Sequence, residues 1–152
     1  MNHPKPLSAQ AVALTVALLA VAAPLRVPAA EPAKPMVLQN VMVKLGRDMQ
    51  AVTGAISRED WTAVAVLAPG IARHAEPPMS EKLRILAWLG TDAGRFRGFD
   101  EQVHEAAEAM GEAATRADGQ AVIAHFGRVQ QSCLACHQGF RKSFQEHFHE
   151  KR

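Results

Sequence analysis

From Val122 to Phe144 the apolar residues recur at steps of four and three: Val122, Phe126, Val129, Cys133, Cys136, Phe140, Phe144. That spacing draws one apolar stripe down an α-helix and contradicts a strand, whose side chains change face at every residue. A stripe of that length needs other helices to cover it, and the chain supplies them. Leu38, Met42, Leu45, Met49, Val52 and Ile56 form a first seam. Trp61, Val64, Ala68, Ile71 and Ala75 form a second, with Pro69-Gly70 expected to kink or shorten it and Pro77-Pro78 to end it. Between the two, Ser57-Arg58-Glu59-Asp60 reads as a capping signal. A short helix is expected within residues 79–91, carrying Leu83, Ile85, Leu86 and Trp88. A third long helix runs from about residue 92 to 116 on Phe96, Phe99, Val103, Ala107, Met110 and Ala114, and Asp118-Gly119 makes the turn into the last. Only 5% of the 152 residues are aromatic and none is Tyr, so the core is Ala, Val, Leu and Met, which suits helices. The expected fold is all-α, an antiparallel up-down-up-down four-helix bundle.

The first residues read differently. Ala11 to Ala23 is an unbroken apolar run behind Lys5, and as a helix it would span roughly 20 Å, short of a bilayer core of about 30 Å. Val27 and Ala29 then offer the small side chains that a signal peptidase accepts. Residues 1–29 are therefore expected to be a cleaved signal peptide and residues 30–152 the mature domain, exported and without a membrane span. Removing Lys5 and Arg26 from the 17 basic residues leaves 15, equal to the 15 acidic ones. A mature chain so balanced has no large uniform field, which argues against nucleic acid as a partner.

The chemistry lies in Cys133-Leu134-Ala135-Cys136-His137, the C-x-x-C-H pentapeptide of c-type haem attachment. Cysteines three apart share a helix face, so each can add to one haem vinyl group, and His137, one turn after Cys133, can offer its imidazole to the iron. Both cysteines fall on the apolar seam, which would hold the macrocycle within the bundle. A thioredoxin-like pair would sit in a βαβ pattern, absent here, and a zinc site would want further ligands. One covalently bound haem c is the expected cofactor.

With these features the chain resembles the class II cytochromes c, the family of cytochrome c′ and its low-spin relatives. The resemblance runs over the whole mature chain: a leader, four helices, and C-x-x-C-H near the C-terminus. His137-Gln138-Gly139-Phe140-Arg141 is similar to the family's ending, which implies that Arg141 lies beside the proximal imidazole. Met42-Val43-Lys44-Leu45-Gly46-Arg47-Asp48-Met49 resembles the first-helix stretch that meets the far side of the iron. That likeness makes Met42 the distal ligand and Met49 a packing residue. The two are seven residues, about 10 Å, apart, so only one can reach the metal. Among the histidines, His125, His147 and His149 lie about 15–18 Å along the helix from His137 and are too far. Helix length does not exclude His74 or His104, which are read as solvated surface residues.

Iron held by His137 and Met42 has no open position, and it then exchanges electrons rather than binding a substrate. The expected function is a periplasmic electron carrier with protein redox partners, and not an enzyme. The alternative, if Met42 only packs, is a five-coordinate cytochrome c′-like protein that binds NO or CO. A peroxidase is disfavoured because no distal acid–base pair is identifiable. The resemblance leaves a homodimer through the first two helices open.

Overall fold

A computed structural model describes residues 36–149, and these form helices joined by short turns, with no strand among them. In chain order they are α1 (Val37–Ser57), α2 (Trp61–Ala72), α3 (Met79–Leu89), α4 (Ala93–Thr115), α5 (Gly119–Cys136) and α6 (Lys142–Phe148). A short 3₁₀ turn, Gly90–Asp92, leads into α4, and a π-helical turn, His137–Arg141, joins α5 to α6 without a break. The leader read over residues 1–29 lies outside the described residues. No helix among those described is long and apolar enough to cross a membrane.

Four of the elements make the bundle: α1, α2, α4, and α5 continued into α6. Contacts around it fix the directions. Gly70 of α2 lies against Asp48 of α1, and Gly111 of α4 against Ala68 of α2. Ser132 of α5 donates a hydrogen bond to Gln102 of α4. Each pairing joins helices that run opposite ways, so the bundle alternates up and down as the seams require. A Cβ at Gly111 would sit 3.3 Å from the Cβ of Ala68, so the glycine sets how closely α2 and α4 approach.

The two tight helix–helix turns share one construction. At the end of α1, Asp60 N–H bonds the Ala55 carbonyl and Glu59 N–H that of Ile56; at the end of α4, Asp118 and Ala117 bond Ala113 and Ala114 in the same way. Glu59 and Ala117 take the left-handed conformation, each with φ 54°, that this helix stop demands. The aspartate that follows then caps the next helix. Asp60 Oδ1 accepts from Ala63 N–H and Asp118 Oδ1 from Ala121 N–H, both at 3.0 Å. Asp118-Gly119 is thus cap and first helical residue rather than a free turn. Gly119 has a second duty, because the Trp61 ring lies 2.7 Å from where its Cβ would be.

Two seams need correction. The second helix stops at Ala72, well before Pro77-Pro78, and Ala75 is exposed outside it. Pro69 and Gly70 weaken its last turn, and the next residues are drawn off by His74, whose ring is bound to Asp100 of α4. On α1 the buried line is Val41, Val52 and Ala55, with Leu45, Met49 and Ile56 partly buried, and Met42 lies off it, 37% exposed. The cause is that α1 packs chiefly on α2, so only a narrow stripe is covered.

The start of α1 has no cap of its own. Its first two amides, Val37 and Leu38, donate to the two carboxylate oxygens of Glu81 on α3, at 2.9 and 2.8 Å. Glu81 is buried, and its charge meets the positive end of the α1 dipole.

Candidate haem site

Apolar packing divides into two clusters. The larger is aliphatic: of its fourteen buried residues seven are Ala and five Val, drawn from α1, α2, α4 and α5. The smaller is aromatic and gathers at one end of the bundle. Phe140, Ile85, Leu89 and Met36 are buried there, with Leu38, Trp88, Phe96, Phe99, Phe144 and Phe148 packed around them. Phe140 stands edge-on to Phe96 at 5.4 Å between ring centres and to Phe99 at 6.4 Å. Trp88 meets Phe144 and Phe148 in the same manner. The Arg95 guanidinium covers the outer face of Phe140 at 4.7 Å.

The C-x-x-C-H segment lies on the border between them. Cys133 packs on the aliphatic cluster and Cys136 on the aromatic one. Both are half-buried, and both are free thiols. Burial pushes each thiol up, with the Asp100 charge adding to it, and Cys136 reaches about 11. His137 follows on the exposed flank at the first residue of the π turn. Its pKa is lowered, first by burial and then by the positive charge of Arg141, so the ring favours the neutral form that can bind a metal. The charge of Arg141 is thus felt at the imidazole.

These residues fit a covalently held haem. The thiols share one helix face, the imidazole next to them is neutral, and a wall of rings lies alongside. On α1, Leu38 belongs to the aromatic cluster with Cys136, and Met42 is one turn further on. Met49 packs instead on the aliphatic cluster. Met36 and Leu38 thus bring the start of α1 to the level of Cys136 and Phe140, and Met42 lies nearer that end than Met49 does.

The π turn was not foreseen, although a signal exists. Cys136, Phe140, Phe144 and Phe148 step by four three times running, and in a regular helix each such step drifts about 40°. One wide turn takes up part of that drift and keeps the rings on one side; such turns recur at functional sites.

His74 and His104 are not the separate, solvated residues their positions suggest. Their rings lie 4.7 Å apart between centres, and both Nε2 atoms meet the carboxylate of Asp100. The His74 side chain is only 9% exposed.

The sequence model of one protein family, described as Cytochrome C', matches residues 37–141 of the chain. That stretch holds α1, α2, α4 and α5 and the whole C-x-x-C-H segment. No curated protein and no solved structure matched the chain significantly.

Proposed function

The chain belongs to the cytochrome c′ family, and from that premise we propose that it is an exported electron carrier rather than an enzyme. Residues 1–29 serve as its leader, and the mature domain, residues 30–152, works in the periplasm with protein redox partners. One haem c is bound through Cys133 and Cys136, with His137 as proximal and Met42 as distal ligand. The haem, when bound, supplies a one-electron couple whose potential its ligands and surroundings set.

The chain's own residues do the rest. Cys133 and Cys136 fix the group to α5 at two points, one in each apolar cluster. His137 offers an imidazole whose protonation is opposed first by burial and then by the charge of Arg141. Phe96, Phe99 and Phe140 exclude water on the Cys136 side, which strengthens every charge interaction within. Met42 stands off the packed stripe of α1, so its sulfur is not consumed in packing. The observation that carries the reading is the C-x-x-C-H segment laid along the border of the two clusters, within a chain of this family.

Protein made in a host that attaches c-type haem should keep its haem through acid–acetone extraction, and Cys133→Ala with Cys136→Ala should lose it. Haem that survives extraction in the double variant, or a native chain that never acquires one, overturns the proposal. Met42→Ala should then turn the spectrum high-spin and admit CO to the ferrous form. A native protein that already binds CO replaces the electron carrier with the five-coordinate reading.

A further inference from the structure

A cluster of two imidazoles and a carboxylate lies where α2 ends against α4. The His74 Nε2 is 3.2 Å from one carboxylate oxygen of Asp100, and the His104 Nε2 is 3.4 Å from the other. All three ligand atoms fall within 4.8 Å of one another. Ligand atoms on a tetrahedral zinc, with bonds of about 2.0–2.1 Å, are roughly 3.3 Å apart, so this spacing already approximates a metal's first shell. Asp100 and His104 are four apart on α4 and share its face. His74 arrives from the chain leaving α2.

The hydrogen bonding adds a second argument. His74 Nδ1 lies 3.2 Å from the Ala75 carbonyl, which can only accept, so that nitrogen carries the proton. In the neutral ring the Nε2 lone pair then faces the Asp100 oxygen, and two acceptors confront each other. That pairing calls for a cation between them: a second proton on the ring, towards which the Asp100 hydrogen bond raises the His74 pKa, or a metal ion. An outer N–H donated to a backbone carbonyl is also how metal-binding imidazoles are usually held. Glu76, whose charge is felt at His74, adds to the negative field there. The site is open on one side: Asp100 is half-exposed and His104 is 35% exposed, which leaves room for water to complete the coordination.

We propose that His74, Asp100 and His104 bind one divalent transition ion of the zinc type, through two imidazoles and a carboxylate. Imidazole with carboxylate suits such ions better than magnesium or calcium, which prefer oxygen throughout. The site uses none of Cys133, Cys136, His137 or Met42, so it stands or falls apart from the haem reading. Asp100 nevertheless acts on both cysteines, so a bound ion would also neutralise a charge felt at the haem attachment points.

The test is a titration of the purified holoprotein, stripped with chelator and desalted, with zinc chloride in a calorimeter, and metal counted after equilibrium dialysis. One zinc per chain is expected, with a thermal midpoint that rises on addition and falls back with EDTA. His74→Gln and His104→Gln should each weaken binding by at least the roughly 10–100-fold that loss of an outer-shell partner costs, with the haem spectrum retained. His125→Gln, on α5, should bind as the parent does. His104 is the more exposed of the pair, so its variant carries the test if His74→Gln does not fold. A parent that binds no stoichiometric zinc shows that the cation is a proton only and overturns the proposal. Binding undiminished in the variants overturns it too.

Discussion

The aliphatic and aromatic clusters solve different problems with different side chains. Ala and Val dominate the first, and their small volume lets α2 and α4 approach until Gly111 nearly touches Ala68. Such a core is a frame: its helices have little room to shift, and it presents few large surfaces. Five of the six phenylalanines and one of the two tryptophans sit in or around the second cluster. Large flat rings leave shaped walls where they meet, and a wall of that kind suits a flat cofactor better than close-packed methyl groups do. Most of the chain's few aromatic residues stand beside the proposed haem site.

Substitution can break that division of labour. Phe140→Ala should cost about 3–5 kcal/mol in denaturant unfolding, because the ring is buried among Phe96 and Phe99. It should also change the haem spectrum. Met110→Ala, in the aliphatic cluster, should cost about 2–5 kcal/mol and leave the spectrum as it was. Equal spectral changes in the two variants would mean that the clusters are one core. Glu81→Ala sharpens the comparison, since it removes the clasp that brings α1 to the aromatic end. A loss of about 1.5–3 kcal/mol is expected, with faster hydrogen exchange at the Leu38 amide and no change in the middle of α4. The smallest effect lies at the far end of the frame. Ala117→Gly should stabilise the protein by up to about 1 kcal/mol, seen as a higher melting temperature, because only glycine holds a φ of 54° without strain.

The aliphatic frame was the more legible region. Steps of three and four alone identify α1, α2, α4 and α5, since a small-residue core asks only that one face of each helix be apolar. The proposed haem site was legible where its chemistry is local: Cys133, Cys136 and His137 are set by one helix turn. Features held by distant pairs were hidden. Glu81 reads as an ordinary charge in a helix's first turn until Val37 and Leu38, more than forty residues away in sequence, are brought to it. His74 and His104 read as surface for the same reason, since thirty residues separate them. A seam drawn from spacing puts Met42 on the buried stripe because spacing cannot tell which neighbour covers it; Val41 is the buried residue there.

The buried thiols also bear on the order of events in the making of this protein. A thioether forms when sulfur adds to one vinyl carbon and a proton to the other, and the thiolate is the form that attacks. At neutral pH a thiol raised to about 11 is ionised in only about one part in ten thousand. An ordinary exposed cysteine is ionised in a few per cent. Once folded, the chain thus shelters a sulfur that the proposed haem would need. On that proposal, attachment would come earlier, while residues 133–137 are still open to solvent, and folding would close around a bond already made.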